Sequence, residues 1–117
     1  MMQKVLFVIH AAPYGSERCR SALRAALSLA DRDQQAQVRL FLMSDATGLA
    51  LPNQDAGGES LLPMLQELLA RGVPVKLCRT CAQARGLMDL TLLAGCAIGT
   101  LDDLSDWTLE ADKVLVF

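Results

Sequence analysis

The sequence predicts an α/β domain in which a mostly parallel five-stranded sheet lies between two layers of helices. Short apolar segments rich in branched residues alternate along the chain with segments of helical periodicity, as expected when helices connect parallel strands. The chain has 117 residues, of which 52% are hydrophobic and 21% charged, which is enough for one core and too few for two. We therefore interpret residues 1–117 as a single domain.

The first half of the chain contains two predicted strands and one predicted helix. Residues 4–9 read KVLFVI, a continuous apolar run typical of a strand buried on both faces. The loop HAAPYGS follows, and Ser16 at its end can cap a helix at 17–31. Residues 37–44 form the second predicted strand, and a long loop at 45–58 follows it.

The second half continues the alternation. Its pattern predicts, in order, a helix at 59–72, a strand at 73–78, a loop or short helix at 80–86, a short helix at 87–95, a strand at 97–99, a helix at 101–111 and a strand at 113–117. The helix at 101–111 is amphipathic, and we expect its apolar side chains to face the sheet: Leu101, Leu104, Trp107 and Leu109. We assume the common, flavodoxin-like strand order 2-1-3-4-5, in which the first and third strands are neighbours.

Composition excludes several classes of function. The net charge is −2 and aromatic residues make up 4%, so the sequence offers neither a basic stripe nor stacking surfaces for nucleic acid. The longest apolar run near the N-terminus, VLFVI, is shorter than a signal-peptide core, and no segment approaches the roughly 20 apolar residues that span a bilayer. No dinucleotide or P-loop motif is present, and no cofactor is predicted. We expect a cytoplasmic protein with reduced thiols and no membrane partner.

The segment VKLCRTCAQARGL, residues 75–87, carries the candidate chemistry, because a predicted strand leads directly into two cysteines. Ligands of open parallel sheets bind beyond the carboxyl ends of the strands, and Cys78 lies at such an end. A thiolate is the reactive form of cysteine, and nearby cations increase its population. We therefore expect Cys78 to be the reactive thiol, Cys81 to be a second thiol, and the thiolate to be favoured by Lys76, Arg79 and Arg85.

The assumed strand order places the loop after the first strand in the same crevice, with candidate lining residues His10, Tyr14 and Ser16. A structural zinc site usually needs four ligands, and the chain has one C-x-x-C pair and one histidine, so no metal site is predicted. Cys19 and Cys96 lie among apolar residues, where we expect them to pack. For Cys78 and Cys81 the residues leave three roles open: sulfur carriage, thiol–disulfide exchange and packing.

Several segments together resemble the DsrE/DsrF-like family, and within it the YchN-like branch: APYGSE, RLFLMSDA, GVPVKLCRTCAQARG, IGTL and WTLEADKVLVF. The resemblance extends from about residue 3 to residue 117. It implies a three-layer α/β domain that forms homotrimers or homohexamers and is linked to sulfur relay. In sulfur-carrying members a cysteine follows the third strand, eight residues before a glycine, and here Cys78 precedes Gly86 by that spacing. Cys81 departs from the pattern, since those carriers generally lack this second thiol.

The resemblance and the residues together predict a small sulfur-relay protein whose Cys78 accepts persulfide sulfur from a donor protein and passes it to an acceptor protein. Cys81 would be a resolving or auxiliary thiol. The alternatives are a thiol–disulfide exchanger that uses both cysteines and a non-catalytic oligomeric binding or assembly module, so the sequence leaves open whether the protein is an enzyme. Apolar residues at 49–52 of the predicted loop need a cover, either from their own domain or from a second copy.

Overall fold

Five parallel strands form the sheet of this protein, whose computed structural model describes residues 2–117. The strands are β1 (Gln3–Ile9), β2 (Ala36–Leu42), β3 (Val75–Cys78), β4 (Cys96–Gly99) and β5 (Lys113–Val116). Each pair of neighbouring strands is parallel. The predicted α/β class with a parallel five-stranded sheet is thus confirmed, and the predicted strand positions are correct to within a few residues.

The order of the strands differs from the expected one. The sheet runs β4-β3-β2-β1-β5, so the assumed order 2-1-3-4-5 is wrong and β2 separates β1 from β3. The chain steps in one direction from β1 to β4 and then returns to place β5 beside β1. Because such crossovers are right-handed, the helices of the first connections lie on one face of the sheet and the helix before β5 lies on the other.

Helices cover both faces of the sheet, as the three-layer arrangement predicts. Their bounds are α1 (Arg18–Ala30), a 3₁₀ helix (Ser44–Ala50), α2 (Leu62–Ala70), α3 (Arg79–Ala84) and α4 (Leu101–Glu110). The main core joins one face of the sheet to α1, the 3₁₀ helix and α2, and a smaller cluster joins the other face to α4. Within residues 2–117, no helix has the length and apolar character required to cross a bilayer.

Two segments between the strands differ from their predicted structure. Residues 87–95, predicted as a short helix, form turns between Gly86 and Gly95, which both have positive φ angles. A helix of this length has little stability of its own, and the backbone N–H of Leu93 instead donates to Ala50 O at 2.9 Å. The predicted loop begins with the 3₁₀ helix, whose Leu49 and Ala50 are buried in the main core. These two residues are therefore covered by their own domain.

The fourth helix uses a narrower apolar face than the sequence predicts. Leu104 and Trp107 pack against the sheet, and the Trp107 ring meets Phe41 edge-on at 6.1 Å between ring centroids. Leu101 and Leu109, which were expected to face inward, are exposed, Leu109 to 86%. The geometry of a helix explains Leu109, because a residue two positions after Trp107 lies about 200° around the axis, on the opposite side.

Candidate functional site

The two candidate thiols lie at the carboxyl end of β3. Side chains alternate along this strand, so Val75 and Leu77 enter the main core while Lys76 and Cys78 lie on the opposite face. Cys78 ends the strand and is only 3% exposed. Cys81 lies in the first turn of α3, is partly exposed and packs against the cluster that buries Cys78. The predicted pair of neighbouring thiols is therefore present at the predicted edge of the sheet.

The pKa of the Cys78 thiol is raised above its ordinary value, mainly because the thiol is buried. The backbone N–H groups of Cys81 and Thr80 oppose this shift, while interaction with the Cys81 side chain adds to it. The direction is opposite to the one that the sequence predicts. At neutral pH the thiol form of Cys78 predominates, and a reaction at its sulfur must include loss of the proton.

Two of the three expected cations, Lys76 and Arg85, are paired with carboxylates. The Lys76 ammonium lies 3.3 Å from an Asp103 carboxylate oxygen and 4.7 Å from the centre of the Trp107 ring. Arg79 is exposed and forms no ion pair with any residue of the described chain, 2–117. Lys76 is therefore engaged with the helix α4, and its charge is compensated by Asp103.

Arg85 connects α3 to the 3₁₀ helix. Its Nε donates a hydrogen bond to Asp45 Oδ1 at 3.0 Å, and its Nη2 donates to Ser44 Oγ at 3.4 Å. Its Nη1 donates to the backbone oxygen of Cys81 at 3.1 Å. The charge of Arg85 is thus compensated by Asp45, and the side chain holds the helix that carries Cys81.

Sequence reasoning missed Ser44 and Asp45, which belong to this site through Arg85. Ser44 follows β2, which neighbours β3 in the sheet, and its φ of 52° lies in the left-handed region that non-glycine residues rarely adopt. The fully buried Thr47 supports this turn, because its Oγ1 donates to Ser44 O at 2.8 Å. The sequence SDA after a strand gives no local signal of this role, which depends on the position of β2 beside β3.

His10 is exposed after the end of β1 and does not contact Cys78. In the strand register, Ile9 pairs with Leu42 of β2, and Leu42 pairs with Leu77 of β3. His10 and Cys78 are therefore separated by two strand spacings, roughly 10 Å. The backbone N–H of His10 instead donates to Phe117 O at 2.7 Å, beside β5.

Tyr14 and Ser16 lie at a different place from the thiols. The Tyr14 hydroxyl donates to Gln54 Oε1 at 2.6 Å and accepts from the Leu61 N–H at 3.2 Å. Ser16 Oγ accepts from the Arg18 N–H at 3.3 Å, next to the first turn of α1. Both residues line an open cavity of about 410 Å³ whose lining does not include either thiol. The residues that the assumed strand order placed in one crevice with Cys78 therefore lie at separate places in the structure.

The remaining two cysteines lie outside the site. Cys19 is fully buried in α1, and Cys96 begins β4, where it is partly buried. Burial raises the pKa of each thiol to about 11, which is the behaviour of packing cysteines. Among residues 2–117, histidine, cysteine and acidic side chains form no group of three that could hold a metal ion.

The DsrE/DsrF-like family profile matches residues 3–117, which is nearly the whole chain. The chain belongs to this family. It is 49% identical to the protein YchN of Escherichia coli strain K12, over 99% of this chain and all of that protein. An uncharacterized protein of Methanopyrus kandleri is 34% identical over 97% of this chain and 93% of its own length.

Solved structures agree with the DsrE/DsrF-like assignment. The crystal structure of the E. coli YchN protein superimposes with a TM-score of 0.94 over 99% of this chain and all of that chain, at 49% identity. A protein of unknown function from Methanobacterium thermoautotrophicum superimposes with a TM-score of 0.77 over 98% of this chain and 99% of its own, at 15% identity. This second likeness shows that the DsrE-like fold persists when little of the sequence is shared.

Proposed function

We propose that this chain is a small cytoplasmic sulfur-relay protein whose Cys78 accepts a sulfur atom and passes it on. One observation carries the proposal: Cys78 ends β3 beside a second thiol in a chain of the DsrE/DsrF-like family. The spacing of Cys78, Arg85 and Gly86 matches that of the sulfur-carrying members, so the resemblance assigns the acceptor role to Cys78.

The proposed reaction is two exchanges at sulfur. In the first, the Cys78 thiolate attacks the outer sulfur of a donor persulfide, R–S–SH, and the donor leaves as its thiolate. In the second, an acceptor thiolate attacks the outer sulfur now on Cys78, and the Cys78 thiolate leaves. Neither step needs an external oxidant or reductant. The burial of Cys78 supports carriage, because a persulfide held away from solvent is shielded from competing thiols.

The direct test is sulfur loading followed by mass spectrometry. The reduced protein is incubated with a cysteine desulfurase and cysteine, trapped with iodoacetamide, and analysed intact and as peptides. We expect a gain of one sulfur atom on the peptide that contains Cys78, and no gain in Cys78→Ser. Cys96→Ser is the matched control, because Cys96 is partly buried but lies outside the site. Loading that persists in Cys78→Ser would contradict the assignment.

A second candidate function is thiol–disulfide exchange, which the contact between Cys81 and the Cys78 cluster favours. Here the Cys78 thiolate attacks a substrate disulfide and releases one thiolate. Cys81 then attacks Cys78 in the mixed disulfide, releases the second thiolate and leaves a Cys78–Cys81 disulfide. A carrier requires Cys78 and tolerates Cys81→Ser, whereas an exchanger requires both. Loss of two hydrogens with a Cys78–Cys81 link would favour exchange.

We also propose that the chain self-associates into a homotrimer or homohexamer, as the family resemblance implies. The exposed strand β5 supports this, since within residues 2–117 it pairs with β1 on one edge and with no strand on the other, and Val114 and Val116 are exposed, Val116 to 64%. Open edges with apolar side chains are normally covered. Light scattering after size-exclusion chromatography should give a trimer or hexamer, and Val116→Asp should give monomers. If both thiols then proved dispensable and unreactive, a non-catalytic assembly module would be the better account.

A further inference from the structure

The helix α3 is a short element between two bends of the chain. It spans Arg79–Ala84, directly after Cys78 and two residues before Gly86, whose φ is 69°. Ala82 is the buried residue of this helix. A single turn and a half of helix with so small an apolar anchor opens at low free energy unless other contacts hold it.

Side-chain contacts of Arg85 hold α3 in place. The guanidinium group reaches Asp45 and Ser44 in the 3₁₀ helix and the backbone oxygen of Cys81 in α3. It therefore ties α3 to a segment that is fixed in the main core through Leu49 and Ala50. The ion pair itself is on the surface, with the Arg85 side chain 35% and the Asp45 side chain 62% exposed.

Cys78 depends on α3 for part of its cover. It is 3% exposed, and Cys81 of α3 is one of the partly buried side chains packed against its cluster. A sulfur donor or any other reagent must approach the Cys78 sulfur in line with the bond that breaks. The small exposure of Cys78 restricts this approach in the closed arrangement, and a movement of α3 removes the part of the cover that Cys81 provides.

We propose that the ion pair between Arg85 and Asp45 is a latch that keeps α3 closed over Cys78, and that its release gives reactants access to this thiol. Arg85 and Asp45 are then positioning residues that act on Cys78 through α3. The inference rests on the proposed function only in taking Cys78 as the reacting thiol. Because salt screens an exposed ion pair, access to Cys78 should increase with ionic strength.

The test measures the alkylation rate of each cysteine by iodoacetamide, with peptide mass spectrometry, in the full chain and without any sulfur donor. The test variant is Asp45→Asn. The matched control is Asp31→Asn, because Asp31 is 64% exposed and pairs with Arg71, whose side chain is 35% exposed like that of Arg85. Asp31 follows α1 at the opposite edge of the sheet. We expect Cys78 to react about fivefold faster or more in Asp45→Asn, and within about twofold of wild type in Asp31→Asn.

Two further measurements separate access from other causes. A pH series does so because easier access multiplies the rate at every pH by one factor, whereas a changed Cys78 pKa shifts the profile along the pH axis. The alkylation rate of the fully buried Cys19 reports opening of the whole domain. Any of three results would overturn the latch. The Cys78 alkylation rate could be unchanged in Asp45→Asn, or its pH profile could shift along the pH axis with no increase in rate common to every pH. Cys19 and Cys78 could also be accelerated equally. Absence of sulfur loading with a fast Cys78 would instead contradict the proposed function and leave the latch standing.

Discussion

Lys76 and Trp107 join the strand of the candidate thiol to the helix on the opposite side of the sheet from the main core. The Lys76 ammonium lies 4.7 Å from the centre of the Trp107 ring and 3.3 Å from Asp103, both of which belong to α4. Lys76 is two residues before Cys78 and on the same face of β3. This contact therefore links α4 to the strand that ends at Cys78.

Replacement of Lys76 by methionine should lower the free energy of unfolding. Methionine preserves much of the apolar stem and removes the charge, so the loss isolates the ammonium contacts with Trp107 and Asp103. We expect a decrease of about 0.5–1 kcal/mol in urea unfolding, followed by the fluorescence of the single tryptophan. In a Trp107→Leu background, followed by circular dichroism, the same change should cost less. Equal costs in the two backgrounds would show that the ring contributes nothing.

Gly99→Ala should destabilise the protein although Gly99 has no positive φ. A Cβ atom there would lie 3.1 Å from the Cβ of Lys76 and 3.2 Å from a ring carbon of Phe41, and neither atom can move freely. We expect a loss of about 1–3 kcal/mol in the free energy of unfolding. Gly58→Ala is the control, because no atom lies within 4 Å of its added methyl, and its effect should stay within about 0.5 kcal/mol. An unchanged free energy of unfolding in Gly99→Ala would show that the Lys76 side chain moves aside without loss of stability.

Stability should fall in alkaline solution because of the buried thiols. Burial raises the pKa of Cys19 to about 11, so the fold favours the protonated form. This contribution is complete below the pKa of an unfolded thiol and is lost as the pH rises through about 11. By about pH 10, Cys19 should account for a loss of about 1.4 kcal/mol. Urea unfolding at pH 7 and pH 10 should show a smaller decline in Cys19→Ala than in wild type, and equal declines would contradict the prediction.

Two leucines of α4 should respond differently to the same substitution. Leu104 packs against the sheet and Leu109 is exposed, and both belong to α4. We expect Leu104→Ala to lower the free energy of unfolding by about 1–2 kcal/mol and Leu109→Ala to change it by less than about 0.5 kcal/mol. Similar losses in thermal or urea unfolding would show that Leu109 is covered in solution.

The local patterns of the sequence predicted the strands well because a buried parallel strand has a recognisable composition. KVLFVI at 4–9 became β1, whose residues from Val5 to Ile9 are buried. Helix α4 was also placed correctly, and its start is explained by the capping box of Thr100 and Asp103. The predicted inward orientation of Leu109 was wrong because apolar character alone does not fix the angular position of a residue on a helix.

The candidate site was predicted in part, since its cysteines follow a strand end that the sequence reveals. The grouping of His10, Tyr14 and Ser16 with Cys78 relied on the strand order, and no local pattern encodes which strands are neighbours. The same limit concealed Asp45, whose partner Arg85 is 40 residues away. The pKa of Cys78 was expected to fall because the sequence shows cations near it, but it does not show the burial of Cys78 or the carboxylates that compensate Lys76 and Arg85.

The pairing of β5 with β1 has a consequence for how the chain folds as it is synthesised. Val5 pairs with Lys113, more than a hundred positions away, and Phe117 stacks on Phe7 at 5.9 Å between ring centroids. Strands β1 to β4 can pair as they emerge from the ribosome, but one edge of β1 stays open until residues 113–116 follow. That edge belongs to a strand whose residues from Val5 to Ile9 are all buried in the folded domain. A nascent chain halted before residue 113 would therefore expose a surface of the kind that chaperones and aggregating chains bind.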